Sequence, residues 1–517
     1  MPGPNFPNLF IPPLISKIVH IINFIFLIFV LFFERNESRR RFVWLLILFF
    51  LPGIGIILYV LFSGHVFTAN KRMMEMHRTA ATLSAPLRDN LKRILIKNRD
   101  QIPNHVIQSF LPLMDMNIEK ANSMLSYADS SKIYCYGKEF FDELCMELEN
   151  AKSTINMEYF IYRPDKIGRK IMDILCRKAQ EGVEVKLLYD DFGSILTRTR
   201  FFRRLDAAGG KSRPFFLLRI GLPLTLNYRN HRKLTVIDSR IAFIGGMNIA
   251  DEYANDNPHR RLNWRDTTIR LTGTCVFDLQ TSFLTDWYSQ DAWASRSKTL
   301  KEIAPYFPPS YTERLAASRA SHDSARFLEE IFQKGRIPTQ IVSSGPNTGQ
   351  KSNIKDAFIR MIMSAKKNVY IETPYFTPNE EFYTALKLAS YAGVNVCIVI
   401  PGTWDKFYMK AASAEFAREM CADGVKFFIY PGFIHSKMIT VDRKIASIGT
   451  TNIDNRSFSL HFEQNVIFYD SRFASRCESI IERDMKLSCQ VNRRYYDSKP
   501  MLMRAYWSFA QLFSPLM

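Results

Sequence analysis

The sequence predicts an α/β protein of two similar half-domains, each a mixed sheet flanked by helices, preceded by N-terminal transmembrane helices. Three observations lead to this prediction. Strand patterns alternate with helix patterns from about residue 131, the same order returns from about residue 353, and one polar motif occurs once in each repeat. Such alternation is typical of mainly parallel sheets covered by helices.

The elements of the two repeats match in order and in several residues. Glu158 and Glu372 occupy the same place in the two copies, as do Gly182 and Gly393. The second half is therefore interpreted as a duplicate of the first. In each repeat a helix, a strand, a second helix and a second strand are predicted, at 139–151, 154–161, 168–180 and 183–189 and again at 353–365, 368–376, 380–391 and 394–400.

The repeated motif places a histidine and a lysine two residues apart at the start of an apolar strand pattern. Residues two apart on a strand point to the same face, so each histidine stands beside its lysine. One such match is compatible with chance, but two with identical spacing indicate a duplicated catalytic half-site. Each copy also has an aspartate, a glycine and an asparagine: His231, Lys233, Asp238, Gly245 and Asn248 in the first, and His435, Lys437, Asp442, Gly449 and Asn452 in the second.

The two aspartates of the motif differ from the other polar residues in their position on the strand. Asp238 and Asp442 lie an odd number of residues after their histidines, so an ideal strand does not put them on the face of the histidine. From this parity we expect both aspartates to be structural groups that hold nearby basic or backbone groups.

The paired motifs supply the groups that cleavage of a phosphodiester needs. Such a site requires a nucleophile, a proton donor for the leaving alkoxide, and positive charge near the non-bridging oxygens. The histidines, lysines and asparagines of both copies provide these groups, and backbone amides near Gly246 and Thr450 are candidate additional donors. Because lysine and asparagine can replace a metal in binding phosphate, neither a metal nor another cofactor is predicted.

The two copies of HxKxxxxD resemble the signature of the phospholipase D superfamily. The resemblance implies that one histidine forms a covalent phosphohistidine while the other protonates the departing alcohol, and that both aspartates belong to the catalytic signature. The family's first motif usually supplies the nucleophile, which is His231 here. The resemblance also implies that Asp266 and Glu463 orient the histidines, which fixes a tautomer and raises basicity.

Further stretches resemble bacterial cardiolipin synthases, in which two phosphatidylglycerol molecules give cardiolipin and glycerol. The resemblance implies a membrane phosphatidyltransferase whose partners are phosphatidylglycerol and anionic membrane lipids. Thr450 and Thr451 depart from the Ser-Ala or similar small residues of many relatives, although a hydroxyl is kept. The stretches include LPGIGIILYVLFSG at 51–64, LLYDDFGS at 187–194, WRDTTIRLTG at 264–273, TPYFTPN at 373–379 and GTTNIDNRSFSLHFEQN at 449–465.

Three alternative functions stay open on the sequence alone. A hydrolytic phospholipase D that releases phosphatidic acid differs only in whether water or a lipid alcohol resolves the intermediate. A nuclease of the same superfamily fits the formal charge of +19, but the apolar N-terminus favours an anionic membrane over nucleic acid as the partner. An inactive lipid-binding scaffold is disfavoured by the two intact motifs.

Two uncharged segments near the N-terminus predict membrane helices. Residues 18–33 carry no charge over 16 positions, and residues 42–62 carry none over 21. A helix needs about 20 apolar residues to cross a bilayer, so the alternative is one span plus an interfacial or re-entrant segment. The later basic run and eight unpaired cysteines favour a cytosolic catalytic part. We therefore expect a multi-pass protein of the cell (inner, cytoplasmic) membrane, with no prediction of its oligomeric state.

Six divisions of the chain follow from these patterns. In the last of them, Leu502, Tyr506, Phe509 and Phe513 recur at helical spacing on one side, which favours the membrane interface, with packing on the protein core as the alternative. The predicted divisions are a two-helix anchor at 1–65, a basic helical stalk at 66–130, half-domains at 131–296 and 336–490, a helical connector at 297–335 and an amphipathic tail at 491–517.

Overall fold

Two α/β halves with the same central strand order make up most of the structure. The computed structural model describes residues 13–33, 38–62, 105–216, 227–255, 264–290, 304–308, 329–346 and 352–517. The predicted connector at 297–335 and the part of the predicted stalk at 66–104 lie mostly or wholly outside these residues.

The N-terminal part consists of three helices, α1 (Pro13–Phe33), α2 (Ser38–Phe50) and α3 (Ile54–Phe62). Of the helices in the described ranges, only α1 is long and apolar enough to cross a membrane, with a mean hydropathy of 2.4. The second predicted span, 42–62, is not one continuous helix. It breaks at Pro52, which cannot donate a helical hydrogen bond, and at Gly53, whose φ is +82°. The structure thus has one helix of spanning length where two were predicted.

The first half contains a seven-stranded mixed sheet. Its strands are β2 (Ser130–Tyr134), β3 (Thr154–Tyr159), β4 (Glu184–Asp190), β5 (Lys211–Phe215), β6 (Lys233–Ile237), β7 (Ile241–Gly245) and β9 (Thr268–Thr272), in the spatial order β2-β9-β7-β6-β3-β4-β5. The accompanying helices are α5 (Gly137–Glu149), α6 (Lys166–Gln180), α7 (Thr199–Ala207), α8 (Asp251–Ala254) and α9 (Cys275–Ser289).

The second half repeats this sheet and adds a strand at each edge. Its strands are β1 (Leu125–Ala128), β10 (Ile337–Ser344), β11 (Asn368–Glu372), β13 (Asn395–Pro401), β14 (Lys426–Tyr430), β16 (Met438–Val441), β17 (Ile445–Gly449), β19 (Glu463–Phe468) and β20 (Cys489–Val491), in the order β1-β10-β19-β17-β16-β11-β13-β14-β20. Its helices are α10 (Asn353–Met363), α11 (Glu380–Tyr391), α12 (Phe407–Ala422), α13 (Asn455–Ser459), α14 (Ser471–Leu487), α15 (Arg493–Asp497) and α16 (Met501–Leu512).

The predicted elements are found in both halves, but the strand directions are more varied than the alternation indicated. Within the two large sheets, only β3, β4 and β5, and their counterparts β11, β13 and β14, pair in parallel. The motif strands β6 and β7 instead form an antiparallel hairpin, because Asp238 and Ser239 make a tight turn at positive φ. The mixed-sheet fold class is therefore confirmed, whereas the expectation of mainly parallel strands is wrong.

The predicted stalk does not extend to residue 130. Helix α4 (His105–Ala121) and strand β1 are built into the second half, where β1 pairs with β10. Apolar residues of α4, among them Phe110 and Met114, are buried against α10 and the second sheet. Their burial fixes this segment to the enzyme, so residues 105–128 are part of the second half rather than a spacer.

One hydrophobic core joins the two halves. It combines residues of β6, β7 and α9 in the first half with residues of β17, β19 and α14 in the second, including Ile244, Phe283, Ile448 and Val466. Two short parallel strands from different halves, β8 (Trp264–Arg265) and β15 (Phe433–Ile434), also pair directly. Two other short strands, β12 (Phe376–Thr377) and β18 (Ile453–Asp454), pair within the second half. The motif strands of both halves are thus held in a fixed relation.

The C-terminal tail packs on the protein with one side and exposes the other. Trp507 and Ala510 are buried in the core of the second half, and Ser508 Oγ donates to Glu415 Oε1 of α12 at 3.1 Å. Leu502 and Phe509, on the predicted apolar side, are 86% and 58% exposed. The alternative prediction, packing on the protein core, holds for one face of α16. The other face is apolar and exposed.

Candidate active site

Both motif histidines lie at the end of a central, fully flanked strand. His231 and Lys233 are at the start of β6, and His435 and Lys437 are directly before β16. Because both strands have neighbours on each side, their ends are rigid platforms. All four side chains are buried.

Each histidine is hydrogen-bonded to a carboxylate of the other half. His231 Nδ1 lies 2.9 Å from Glu463 Oε1, and His435 Nδ1 lies 2.6 Å from Asp266 Oδ2. The two contacts cross between the halves, so both are needed to complete the two histidines. The motifs therefore form one shared site rather than two.

Backbone pairing explains the crossed contacts. His231 N donates to Phe462 O at 3.0 Å, and Phe462 directly precedes Glu463. Likewise His435 N donates to Arg265 O at 2.6 Å, one residue before Asp266. In each case the segment that carries the carboxylate is aligned with the segment that carries the opposite histidine.

The lysines lie close to the histidines in space as well as in sequence. Lys233 Nζ donates to His231 O at 2.6 Å, and Lys437 Nζ lies 2.9 Å from His435 Nδ1. Burial lowers the pKa of Lys233 to about 7 and that of Lys437 to about 8, against the attraction of nearby carboxylates. A bound phosphodiester anion favours the charged forms and restores the positive charge that its oxygens require.

Burial keeps both histidines neutral in the free site. Burial and, after it, the charges of the neighbouring lysines lower the pKa of His435 to about 4, against the opposing effect of Asp266, and lower that of His231 well below its ordinary value. A neutral imidazole is the form that can attack phosphorus. A phosphodiester anion between the rings raises their pKa relative to the free site, which favours protonation of the one that acts as the acid.

The two carboxylates have similar positions but different electrostatics. Burial raises the pKa of Glu463 to about 8, although the charge of Lys233 opposes this effect. Burial also raises the pKa of Asp266, but Lys437, His435 and a hydrogen bond from Thr267 outweigh it and leave the pKa below its ordinary value. The acid that orients His435 is therefore the more strongly ionised of the two.

The two asparagines have different surroundings. Asn248 is held in place, since its Oδ1 accepts from Ile161 N at 3.0 Å and its Nδ2 donates to Tyr253 Oη at 2.6 Å. Asn452 Oδ1 is buried and has no hydrogen-bond partner among the described residues. Of the two amides, that of Asn452 is the freer to bind a ligand.

The predicted amide donors at Gly246 and Thr450 are already used within the sheets. Gly246 N donates to Thr267 O at 2.9 Å, and Thr450 N donates to Gln464 O at 3.0 Å. The prediction that they bind phosphate is corrected, because sheet pairing consumes both N–H groups. Gly246 instead leaves room for the Asp266 carboxylate, whose Oδ1 would lie 2.0 Å from an added Cβ. The Thr450 hydroxyl donates to Glu463.

Asp238 and Asp442 are outside the cluster of histidines and lysines. Asp238 accepts hydrogen bonds of 2.7–2.8 Å from the backbone of Lys152, Ser153 and Thr154, at the start of β3. Asp442 does the same for Lys366, Lys367 and Asn368 at the start of β11. The structure agrees with the strand-parity argument and not with a catalytic role for these two residues.

Two rings at matching positions were not recognised as site residues from the sequence. Trp264 packs against His435 with ring centroids 5.1 Å apart, and His461 packs against His231 at 5.6 Å. Each stands two residues before the carboxylate that binds the same histidine. That shared spacing is the signal that identifies them, and a single-residue view of His461 as an ordinary histidine missed it.

His231, His461 and Glu463 are the set of metal-capable groups that the described residues bring together, with ligand atoms within 4.8 Å of one another. A metal held there would displace the hydrogen bond between His231 and Glu463 that orients the histidine. The reaction chemistry of the two motifs needs no such ion, and the absence of a cofactor stays a prediction.

Comparison with known protein families shows which family has this arrangement. The family model described as "Cardiolipin synthase, PLD-like domain" matches residues 144–271 and 358–485, one match in each half, and "Phospholipase_D-nuclease N-terminal" matches residues 21–64. The major cardiolipin synthase ClsA of Bacillus subtilis (strain 168) is 35% identical to the chain and covers 98% of it and 100% of its own length. The chain belongs to the cardiolipin synthase family of the phospholipase D superfamily.

Other relatives extend the comparison. The cardiolipin synthase of Oceanobacillus iheyensis is 32% identical over 98% of the chain and 100% of its own length. Among solved structures, phosphatidylserine synthase of Haemophilus influenzae Rd KW20 superimposes with a TM-score of 0.57 at 15% identity, over 80% of this chain and 100% of that one. This likeness shows that the two-half architecture of the family is shared.

We predict that Asp238→Ala and Asp442→Ala lower stability more than they lower catalysis. Each removes the acceptor for three backbone N–H groups, so we expect a loss of about 1–3 kcal/mol in the free energy of unfolding. Thermal denaturation measures the loss, and the rate per folded molecule should stay within a few-fold of the wild type. A large fall in that rate without loss of stability would return these aspartates to the catalytic set.

We also predict that kcat/KM falls as pH rises through about 7–8. Lysines are charged below their pKa, and Lys233 and Lys437 lose their protons in this range in the free site. Lys437→Arg keeps its charge, so the fall above about pH 8 should become shallower than in the wild type, while the fall near pH 7 that belongs to Lys233 remains. A limb of unchanged steepness in this variant contradicts the assignment to Lys437.

Proposed function

We propose that this protein is a membrane phosphatidyltransferase that makes cardiolipin and glycerol from two phosphatidylglycerol molecules through a covalent phosphohistidine. The observation that carries the proposal is the pair of crossed histidine–carboxylate contacts, flanked by two buried lysines. It supplies two oriented imidazoles and two cations around one phosphate. The full-length similarity to named cardiolipin synthases supports the substrate and the reaction.

In the first step, neutral His231 attacks phosphorus of the donor lipid. A bond forms between the ring nitrogen Nε2 and phosphorus, the bond from phosphorus to the glycerol oxygen breaks, and His435 gives that oxygen its proton. The charges of Lys233 and Lys437 stabilise the added negative charge on the non-bridging oxygens. In its ionised form, Glu463 accepts a hydrogen bond from Nδ1–H and so favours the tautomer of His231 whose Nε2 is free to attack.

In the second step, the glycerol hydroxyl of another phosphatidylglycerol attacks the phosphohistidine. The new oxygen–phosphorus bond forms as the nitrogen–phosphorus bond breaks, and the hydroxyl proton passes to His435. Asp266 supports this role because its ionised carboxylate stabilises the protonated imidazole. Hydrolysis by water, the alternative, is not favoured by the relatives, which are named as synthases.

The same proposal extends to the location of the enzyme. Helix α1 is of spanning length, and the family match at residues 21–64 covers the N-terminal helices. We place the catalytic halves on the cytoplasmic side of the cell membrane, with α2 and α3 entering the bilayer as a broken pair. The free thiols of all eight cysteines agree with a reducing compartment.

The exposed face of α16 extends the proposed membrane contact. Leu516, just after this helix, packs against the cluster of α1–α3 that includes Trp44 and Leu48. The end of the chain thus contacts the N-terminal helices, and we place the exposed apolar row at Leu502 and Phe509 at the lipid interface.

The reaction is tested by incubating the purified full-length protein with phosphatidylglycerol alone and separating the lipids. Cardiolipin with an equal amount of glycerol is the expected result. Phosphatidic acid as the main product would instead identify a hydrolase, and unchanged lipid would overturn the proposal. Boiled enzyme is the control for spontaneous lipid breakdown.

The roles of the histidines are tested with a phosphatidyl nitrophenol, whose leaving group needs no proton. We expect His435→Ala to accumulate a phosphatidyl group on His231, because only the later steps need the acid, while turnover falls by at least about 10²–10⁴-fold. His231→Ala should form no adduct. Mass spectrometry of digested protein locates the group, and an adduct on His435 in His231→Ala would reverse the roles.

The membrane face of α16 is tested with an environment-sensitive label on the reconstituted full-length protein. Cys489 is an exposed thiol, so it is first replaced by serine. A label at Phe509→Cys should be quenched by lipid-borne quenchers several-fold more strongly than one at Arg443→Cys, a polar surface position on the second half. Equal quenching at the two positions would remove α16 from the interface.

A further inference from the structure

An arginine that forms no ion pair within the described residues lies in α13, shortly after the second motif. Arg456, in α13, follows Asn452 by four residues, and its guanidinium has no hydrogen bond or ion pair with the described residues. Its Nε is buried. Asp454 accepts from Ser457 N at 2.7 Å to cap α13. Its charge also attracts Arg456 without forming an ion pair, but burial outweighs this attraction and lowers the pKa of Arg456. A half-buried cation without a direct ion pair can bind a ligand that supplies further negative charge.

The backbone holds Arg456 beside His461 and close to His231. His461 N donates to Arg456 O at 2.9 Å, and the His461 ring lies 5.6 Å from that of His231. Phe462 N donates to Arg229 O at 2.9 Å, so a second arginine flanks the same histidine. Arg229 is already close to the buried Asp190, at 3.6 Å, whereas Arg456 has no acid at ion-pair distance within the described residues.

His461 adds a free hydrogen-bonding group at this place. Both of its ring nitrogens are buried and have no hydrogen-bond partner in the described part of the chain. Its nearest acid, Glu463, is 3.9 Å away and is already bonded to His231. Burial, followed by the charge of Arg456, lowers the pKa of His461 well below its ordinary value. A neutral imidazole here can donate one hydrogen bond to an oxygen of a ligand.

The matching positions of the first half carry different residues. The position that matches Arg456, four residues after the motif asparagine, is Glu252, and the position that matches His461 is Trp264. The histidine, lysine and asparagine of the motif occur in both halves, whereas an arginine and a histidine occupy these two positions only in the second. The pair therefore fits a task that only one of the two lipid substrates presents.

We propose that Arg456 and His461 bind the phosphate of the acceptor phospholipid, whose glycerol hydroxyl attacks the phosphatidyl-enzyme. This inference rests on the proposed function. The acceptor carries its own phosphodiester anion a few bonds from the attacking oxygen, and that anion is repelled by the phosphate already in the site. A cation placed outside the catalytic pair offsets this repulsion and orients the hydroxyl. The site would then select an anionic lipid alcohol over water or an uncharged alcohol.

The test compares two acceptors of the same phosphatidyl-enzyme in full-length protein. One reaction is cardiolipin formation from phosphatidylglycerol, and the other is incorporation of radiolabelled free glycerol into phosphatidylglycerol. Both need the same donor and intermediate, but only the first has an anionic acceptor. We expect Arg456→Gln to lower the ratio of cardiolipin formation to glycerol incorporation by about tenfold or more, as for a lost charged hydrogen bond. Arg456→Lys should recover most of the ratio.

Matched variants separate the site from general charge and fold effects. Arg443→Gln removes one positive charge from the surface, and Glu252→Gln alters the matching position of the first half. Neither should change the ratio. His461→Phe should lower the ratio less than Arg456→Gln does. Thermal denaturation of each variant shows whether it is folded, and the ratio is independent of the folded fraction.

Each remaining outcome decides against the inference. An equal loss with both acceptors would assign Arg456 to the catalytic phosphate or to the fold. No change in the ratio would show that no acceptor site is present. Added inorganic phosphate that inhibits glycerol incorporation in the wild type, but less in Arg456→Gln, would identify a general phosphate site. If the wild type incorporates glycerol but makes no cardiolipin, the proposed cardiolipin synthesis is wrong, whereas the phosphohistidine chemistry still stands.

Discussion

The crossed hydrogen bonds between each motif histidine and a carboxylate of the opposite half are the contacts on which the proposed site depends. His231 relies on Glu463 and His435 relies on Asp266, so neither half contains a complete imidazole–carboxylate pair. The joint core at α9 and α14 and the pairing of β8 with β15 hold the halves in register. A shift of either half by a fraction of a hydrogen-bond length would misplace both imidazoles together. The large apolar core between the halves prevents such a shift.

Duplication made the chemistry symmetric, but the surroundings of the two histidines have diverged. Trp264 covers His435, whereas His461 covers His231. Asp266 has a pKa below its ordinary value, whereas burial raises that of Glu463 to about 8. An ionised partner suits a ring that must take up and release a proton, and a ring that acts as a nucleophile needs only orientation. These differences support, on physical grounds, the assignment of His231 as nucleophile that the resemblance alone suggested.

Local patterns predicted the parts of this protein that depend on neighbouring residues, and missed those that depend on the assembled sheets. Strand parity was enough to separate Asp238 and Asp442 from the histidines, because it concerns one strand. The pairing that occupies the amides of Gly246 and Thr450 involves Thr267, directly before β9, and Gln464 of β19, which lie outside the motifs themselves. Likewise, nothing in the polar, basic stretch before residue 130 showed that β1 would add to the edge of the second sheet. The helix break at Pro52 and Gly53 was also missed, because the segment around it is uncharged over the length of a membrane span.

The chain terminus gives the last link between membrane and chemistry. Leu516 packs with the N-terminal helices, while Met517 packs beside Tyr375 and Phe433, the latter in contact with His435. Met517 O also accepts from Arg456 N at 2.8 Å. One short segment thus touches the N-terminal helices, the rings next to His435 and the arginine that we propose for the acceptor. The family acts on membrane lipids, so a contact that ties the site to the N-terminal helices also ties it to the bilayer that we propose these helices enter.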